Sequence, residues 1–159
     1  MYSPRMPNLF EEFRALVAAL NRAAVPFAVC GGLAMSIHAR PRATVDIDLL
    51  APSEAIPALI IAVAPLGFTQ REREPTRLAE GEVLMHRLTK IVPGDPEVLV
   101  LDVIEVRGRA TTRVWESRGS MEWQGGVVPV VSREGLISMK RLRGSPQDLA
   151  DIQTLEGGA

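Results

Sequence analysis

The chain has 159 residues, of which 47% are hydrophobic, and its 12 prolines are spread along the sequence. This length and composition predict one compact domain, residues 1–159, with a real core, and argue against a second full domain. The formal net charge of −1 comes from 18 basic and 19 acidic residues, which excludes a protein whose whole surface is basic for nucleic acid. Any basic site must therefore be local.

The cysteine usage and the apolar segments indicate where the protein works. Cys30 is the only cysteine, so no intrachain disulfide can form, and we expect a reducing, cytoplasmic setting in which Cys30 is a small core residue. The first apolar stretch is interrupted by charged residues, unlike the core of a signal peptide. The most apolar window, residues 56–68, is shorter than the roughly 20 residues that cross a bilayer. We expect a buried helix there and no membrane partner.

The beginning of the chain predicts a helix, a short strand and a second helix. Apolar residues recur at three- and four-residue spacing from Asn8 to Ala24, which is typical of an amphipathic helix, and Pro26 ends it. The segment PFAVCGG then predicts a strand that runs into Gly31 and Gly32. The following segment, LAMSIHA, has helical composition.

Two aspartates lie in the next predicted strand, ATVDIDLL. Asp46 and Asp48 alternate with apolar residues, so their side chains share one face of the strand. Two like charges held this close repel each other, and neither is buried cheaply without a proton or a compensating cation. We therefore expect a positive group between them.

The middle of the chain predicts an apolar helix and three strands. Ser53 and Glu54 carry helix-start signals, and the helix ends near Gly67. The segments FTQRE and GEVLMHRLTK predict strands, and residues 97–106, EVLVLDVIEV, are rich in β-branched residues. We expect this last segment to be a central strand that carries Asp102.

The C-terminal part is harder to interpret until its final helices. Residues 107–124 are polar and predict no element, whereas GGVVPVVS predicts a short strand. Ser132 can cap the next helix, which stops at Gly144. Ser145 and Pro146 then begin the last helix.

The paired glycines and the three carboxylates together indicate a phosphate and metal site. Gly31 and Gly32 let the backbone approach a ligand, and the helix after them presents N–H groups to an anion, although a glycine pair at a strand end equally serves a tight turn. Asp46 and Asp48 offer the hard oxygen ligands that Mg²⁺ requires. If the strand of Asp102 pairs beside theirs, the three carboxylates converge and can hold two metals roughly 3.5 to 4 Å apart.

These residues carry a resemblance to a known family. CGGLAMSIHARPRATVDIDLL, with thirteen residues between Gly32 and Asp46, followed by Asp102 in LVLDVI, resembles the nucleotidyltransferase superfamily related to DNA polymerase beta. That pattern is a Gly-Gly or Gly-Ser turn, a helix, an Asp-x-Asp strand and a third acidic residue on a later strand. RATVDIDLL and LISMKRLRGSPQDLADIQTL are similar to the small bacterial AbiEii-type toxin nucleotidyltransferases. The resemblance covers residues 8 to 155.

The resemblance implies a role for each residue that matches the pattern. Gly31 and Gly32 would contact the nucleotide phosphates. Asp46 and Asp48 would bind Mg²⁺, with Mn²⁺ as the alternative metal. Asp102 would act as a metal ligand or as the base toward the acceptor hydroxyl, so that the three aspartates form both the catalytic and the metal set.

Further matches lie outside the central pattern. Lys140 matches the basic residue expected near the triphosphate, and Arg42 and Thr44 match the closer toxin group as nucleotide-site residues. Many relatives place a basic residue before the final Asp-x-x-Asp, where this chain has Gln147. This departure bears on whether the last helix binds substrate.

Three charged residues of the C-terminal segment have ordinary interpretations. Arg143 is weighed equally as a solvated charge and as a site residue, since surface arginine is common. We interpret Asp148 and Asp151 as residues that face solvent or cap the last helix.

The resemblance also implies a fold and a reaction. The fold would be α/β, a short mixed sheet with helices packed mainly on one side. The reaction would be Mg-dependent transfer of a nucleoside monophosphate from an NTP to an acceptor hydroxyl. The acceptor is open, with tRNA and protein among the candidates, and the toxin relatives imply an antitoxin as a partner.

Two alternatives stay open from the sequence. One is a non-catalytic nucleotide-binding or partner-binding module on the same fold. The other is a glycosyltransferase, because these enzymes also use Asp-x-Asp to hold a metal and a sugar nucleotide. The turn at Gly31 and Gly32 and the short chain favour nucleotidyl transfer over the second alternative.

Overall fold

The computed structural model describes residues 5–38, 46–91, 93–94, 98–123 and 126–157, except for the side chains of residues 5–8 and 123. Within these ranges the α-helices are α1 (Arg5–Arg22), α2 (Gly31–His38), α3 (Ile56–Val63), α4 (Gly108–Glu116), α5 (Arg133–Arg143) and α6 (Pro146–Glu156). The strands are β1 (Ala28–Cys30), β2 (Asp46–Pro52), β3 (Thr69–Gln70), β4 (Thr76–Leu78), β5 (Val83–Ile91), β6 (Val98–Val106), β7 (Gly119–Trp123) and β8 (Gly126–Val130).

A mixed sheet organises the fold. Its strand order is β3-β5-β6-β2-β1-β8-β7, and β4 pairs with β5 as well. β2 is parallel to β6 and β1 is parallel to β8, whereas the other pairs are antiparallel. The α/β class with a mixed sheet is confirmed. The central position of the Asp102 strand, beside the strand of Asp46, is confirmed as well.

The two central strands bury one face completely, because apolar side chains alternate along them. Ile47 and Leu49 of β2 and Leu101 and Val103 of β6 are 0% exposed. Burying a side chain of this size contributes about 1.5 to 3 kcal/mol relative to leaving it in water. The alternate positions of the same strands, which include the three aspartates, therefore face the other side of the sheet.

The N-terminal helix adds a large apolar stripe to the core. Phe13, Leu16 and Leu20 of α1 are fully buried at three- and four-residue spacing, and the helix contacts α3. The prediction of a helix over residues 8–24 is confirmed in type. The helix ends slightly earlier, because Ala24 adopts the left-handed φ of 55°.

Polar caps define the two C-terminal helices. The Ser132 hydroxyl accepts a hydrogen bond of 2.9 Å from the N–H of Gly135 at the start of α5, which ends at Gly144 with φ 65°. Ser145 and Asp148 form a reciprocal capping box at the start of α6. Each such cap satisfies N–H groups of the first turn and contributes about 1 kcal/mol. The predicted boundaries of both helices are confirmed.

The elements within residues 107–124, which are α4 and β7, were not predicted from the sequence. α4 buries only Thr111 and Val114, so its apolar periodicity is too sparse to be recognised. The side chain of Arg107, the residue before α4, forms no capping hydrogen bond. Instead, the Thr111 hydroxyl accepts a hydrogen bond from the Arg107 N–H and donates one to the Arg107 carbonyl oxygen.

The middle segments match their predicted types with different lengths. The segment FTQRE contributes only the two residues of β3, while the apolar helix is α3 flanked by short 3-10 turns at Ser53–Ala55 and Ala64–Leu66. Gly67 ends this helix with φ 102°, as expected of a glycine stop. Across the described residues, helices are either too short or too polar to cross a bilayer.

Candidate functional site

The three predicted carboxylates lie on one face of the sheet. β2 and β6 are parallel neighbours in which Asp48 is the register partner of Asp102, and Asp46 lies two residues earlier on β2. Because side chains two residues apart on a strand point the same way, all three face the side opposite to the buried residues at 47, 49, 101 and 103. The sequence prediction that these residues share one face is confirmed.

The glycine turn lies directly against Asp48. Cys30, the last residue of β1, pairs with Asp48, so Gly31 follows at the same level of the sheet. Gly31 adopts φ 63°, and a Cβ at this position would lie 2.1 Å from Asp48 Oδ2, closer than any real contact. The N–H of Gly32 donates to the Asp48 carboxylate. Gly31 therefore has a clear structural role, which is to let the backbone lie close to this carboxylate, while Gly32 contributes its N–H.

Burial and repulsion act together on the paired carboxylates. Burial, followed by the charges of Asp102 and Asp46, raises the pKa of Asp48 to about 6, against the pull of Arg143 and the Gly32 N–H. Burial and the charge of Asp102 also raise the pKa of Asp46, and Arg87 opposes the shift. The site therefore favours a proton or a cation near these oxygens, as the sequence indicated.

A cation is present at the third carboxylate. Arg87 of β5 is the register partner of Asp102, and its Nε and Nη2 donate to Asp102 Oδ1 and Oδ2 at 2.8 and 2.9 Å. The Arg87 side chain is 54% exposed, whereas that of Asp102 is 6% exposed. This planar two-bond contact occupies both oxygens of Asp102. Arg87 was not among the site residues predicted from the sequence. The available signal was a basic residue inside a predicted strand, but nothing in the sequence showed that this strand pairs with that of Asp102.

Lys140 lies in a buried ion pair with the last helix. Its Nζ donates to Asp151 Oδ2 at 2.7 Å and lies 3.8 Å from Asp148 Oδ1, and the residue is only 6% exposed. Gln147 Nε2 donates to the other oxygen of Asp151 at 3.0 Å. Gln147, which stands where many relatives have a basic residue, thus donates a hydrogen bond to the same carboxylate as Lys140. A role of Lys140 at the triphosphate stays a prediction.

The interpretation of the two C-terminal aspartates was wrong in one respect. Asp148 and Asp151 are each 4% exposed and do not face solvent, because both pack around Lys140. The capping role of Asp148 is confirmed. Arg143 Nε lies 3.5 Å from Asp148 Oδ2, and the positive charge of Arg143 lowers the pKa of Asp48. Arg143 therefore contributes to the electrostatics of the site.

Two predicted nucleotide-site residues cannot be placed. Arg42 and Thr44 lie outside the described residues. Their suggested contact with the nucleotide therefore stays a prediction.

The carboxylates fit a divalent cation in part. Asp46 and Asp48 provide hard carboxylate oxygens. The pKa of each carboxyl group is raised, and a bound cation would stabilise the charged form of both. Each oxygen of Asp102 accepts one hydrogen bond from Arg87, so a metal ion bound there would share these oxygens with the guanidinium group. In the part of the chain that the structure describes, no group of three or more histidine, cysteine, aspartate or glutamate side chains is gathered closely enough to hold a metal ion.

The sequence matches a known family over most of its length. Residues 14–155 match the family described as nucleotidyl transferase AbiEii toxin, Type IV TA system. The match includes the glycine turn, all three aspartates and Lys140. No curated protein matches the chain by sequence.

Solved structures share the fold at low sequence identity. A protein from Thermotoga maritima assigned as a nucleotidyltransferase has 16% identity and a TM-score of 0.67, with 96% of this chain and 95% of that chain covered. The lincosamide antibiotic adenylyltransferase LnuA, bound to lincomycin, has 14% identity and a TM-score of 0.62, covering 94% and 97%. The antibiotic-resistance factor ANT(2'')-Ia has 18% identity and a TM-score of 0.63, covering 91% and 80%. These similarities show a nucleotidyltransferase fold.

Proposed function

Because the chain belongs to the AbiEii family of nucleotidyltransferase toxins, we propose that it transfers a nucleoside monophosphate from an NTP to an acceptor hydroxyl in a Mg²⁺-dependent reaction. One observation carries the proposal: the carboxylates of Asp46, Asp48 and Asp102 share a sheet face, with the turn at Gly31 and Gly32 closed against Asp48. This arrangement brings a phosphate-compatible turn and a cation-compatible carboxylate pair to the same place.

The reaction balances as a phosphoryl substitution. The acceptor oxygen forms a bond to the α-phosphorus, the bond from that phosphorus to the bridging α–β oxygen breaks, and pyrophosphate leaves. The acceptor proton passes to a carboxylate of the site, Asp102 in the role that the resemblance implies, and then to water. The demand on the protein is positioning and charge neutralisation, since little covalent chemistry is required of its side chains.

Asp46 and Asp48 would hold the metal, which when bound neutralises the phosphate charge and orients the reacting oxygens. Gly31 leaves room for the Asp48 carboxylate, since a Cβ at this position would lie 2.1 Å from Asp48 Oδ2, and the Gly32 N–H donates a hydrogen bond to it. Arg87 orients Asp102 beside this pair through its two hydrogen bonds. Mn²⁺ offers the same octahedral oxygen preference and is the second metal to test.

The glycosyltransferase alternative loses its support, because the family match covers the Asp-x-Asp strand together with the glycine turn and the third aspartate. A non-catalytic module on the same fold remains the second candidate. The contact that favours it is the two-bond contact between Arg87 and Asp102, which supplies a cation for the third carboxylate without a metal.

A labelling screen tests the proposed function. Wild-type protein is incubated with each α-³²P-labelled NTP and, separately, with total tRNA, a protein fraction and small hydroxyl compounds, in Mg²⁺, Mn²⁺ or EDTA. Transfer is expected with one acceptor class and one metal, and it should disappear in EDTA. Nucleotide binding without transfer to any acceptor would favour the non-catalytic module.

The family description also supports a toxin role with an antitoxin partner. Expression of the wild type alone should slow bacterial growth, and expression of Asp48→Asn should not, because the variant loses a hard anionic ligand. Growth inhibition of equal strength by both proteins would separate toxicity from nucleotidyl transfer.

A further inference from the structure

A concave site lies at the end of β6, and none of the three site aspartates lines it. The cavity has a volume of 540 Å³ and is lined by the start of α4, the turn at Gly81 and Glu82, and Leu142 near the end of α5. We call it the α4 cavity. None of its lining residues is among those that the family pattern assigns to nucleotide or metal.

Three arginines dominate the charge of the α4 cavity. Arg107, Arg109 and Arg113 line it and are exposed, and Glu82 is the one acidic residue among the lining side chains. Across the described ranges, none of the three guanidinium groups forms an ion pair with a carboxylate, although the charges of Arg107 and Glu105 interact. A guanidinium group that has no carboxylate partner retains its planar fork of donors for a phosphate.

The positions of two of these arginines are unfavourable for the helix itself. Arg109 and Arg113 are four residues apart on α4, where like charges repel on one helix face. Arg109 also lies in the first turn, where the helix dipole disfavours a cation. An anion between the two guanidinium groups would convert both penalties into attraction.

The α4 cavity is a neighbour of the reacting site. Arg107 follows β6 five residues after Asp102, a separation of about 17 Å at the usual strand rise. Leu142, which also lines the cavity, precedes Arg143, whose positive charge lowers the pKa of Asp48. A molecule held in the cavity would have to span a distance of this order to bring a hydroxyl to the carboxylates.

The size and lining indicate the chemical class of the occupant. The volume lies within the roughly 300 to 1,000 Å³ typical of small-ligand sites, and it is too large for a lone phosphate. Leu142 and Ala110 provide apolar surface, and guanidinium planes can stack on bases. A nucleotide unit combines a phosphate with a flat apolar base.

We propose that the α4 cavity binds a phosphate-bearing nucleotide unit of the acceptor and thereby presents an acceptor hydroxyl to the carboxylate site. This proposal rests on the proposed function for its assignment to the acceptor side. The phosphate comes either from an RNA strand or from a small phosphorylated acceptor, and these two sources share the chemistry that the arginines recognise.

The test measures binding in EDTA without NTP, so that no transfer occurs. A fluorescein-labelled 12-nucleotide single-stranded RNA and, separately, ribose 5-phosphate are titrated into wild type, the Arg109→Gln/Arg113→Gln variant and a matched control, Arg14→Gln/Arg22→Gln, whose exposed arginines lie on α1. The cavity variant should bind at least tenfold more weakly than wild type, and the control should bind as wild type does. For the cavity variant, the slope of log K for RNA against log salt should be smaller in magnitude than for wild type by about 1.4, or about 0.7 for each lost phosphate contact.

The outcomes separate the sources and the two proposals. If the cavity variant loses the RNA binding of wild type, the phosphate source is an RNA strand. If wild type does not bind the RNA and the cavity variant loses ribose 5-phosphate binding, the source is a small phosphorylated acceptor. Equal binding by the cavity variant and the control overturns the inference. If the cavity variant loses phosphate binding while no acceptor is ever labelled, the proposed function fails and the phosphate site stands. If this variant labels the acceptor with an unchanged acceptor KM, the α4 cavity does not bind the acceptor, and the proposed function stands.

Discussion

Arg87 holds both carboxylate oxygens of Asp102, at 2.8 and 2.9 Å, across the antiparallel pair of β5 and β6. The residue that the sequence identified as the third acidic group is therefore neutralised by a neighbour on the next strand. This pair limits the repulsion among three carboxylates on one sheet face, and it fixes the direction in which Asp102 points.

Replacement of Arg87 tests the value of this pair. Arg87→Met leaves the nearly buried Asp102 charge without a partner and should lower the free energy of unfolding by about 1 to 2 kcal/mol, less than for a fully buried pair because the Arg87 side chain is half exposed. Arg77→Met, an exposed arginine on β4, is the matched control and should change stability little. Denaturant unfolding measures both. Equal effects of the two substitutions would contradict a specific role for the Arg87–Asp102 contact.

Asp48→Asn should make the protein more stable at neutral pH. The folded pKa of about 6 lies above the ordinary 3.8, so the folded state binds the extra proton, and the free energy of unfolding falls as pH rises from about 4 to above 6. Removing this ionisation should stabilise the protein by up to about 3 kcal/mol at pH 7.5, with a smaller gain at pH 4.5. Urea unfolding at both pH values provides the measurement, with Glu11→Gln on the exposed side of α1 as control. A gain that does not depend on pH would show that ionisation of Asp48 is not its cause.

Much of this arrangement follows from local sequence. The Asp46 and Asp48 strand, the glycine turn and the caps at Ser132 and Ser145 depend on residues close in the chain, and each was predicted. The Arg87 contact depends on the pairing of β5 with β6, which local patterns do not specify. The same is true of the buried position of Asp151, where a distant lysine converts an apparently exposed helix carboxylate into a core residue.

Gly31→Ala should be far more damaging than the same change at another left-handed glycine. At Gly31 the new Cβ would lie 2.1 Å from Asp48 Oδ2, whereas at Gly94, with φ 83°, nothing lies within 4 Å. Gly94→Ala should cost about 1 kcal/mol from backbone strain alone, and Gly31→Ala at least about 2 kcal/mol more, because the carboxylate must move. Thermal and urea unfolding of the two variants compare these values. Similar losses for both would mean that the turn is not closed against Asp48.

Lys140 can be tested for structure and for nucleotide binding separately. Lys140→Met should destabilise the fold by about 3 kcal/mol, because it removes the cation that contacts the buried Asp151 carboxylate and one of the two cations beside Asp148. Adding Asp151→Asn should restore part of this stability, since it removes the buried charge that Lys140 contacts most closely. Calorimetric titration of the double variant with Mg-NTP then measures whether Lys140 contributes to nucleotide affinity. Loss of NTP affinity in a folded double variant would support the predicted triphosphate contact, and wild-type affinity would restrict Lys140 to the core.

The most direct measurement of the central claim compares two labels on the same NTP. The acceptor identified by the labelling screen is incubated with wild-type protein, Mg²⁺ and NTP carrying ³²P at either the α- or the γ-phosphate, and the products are separated. Nucleotidyl transfer at the face of Asp46, Asp48 and Asp102 predicts that α-label enters the acceptor, that γ-label is released in pyrophosphate, and that Asp48→Asn abolishes both. Transfer of γ-label to the acceptor, or α-label transfer that persists in Asp48→Asn, would contradict the account.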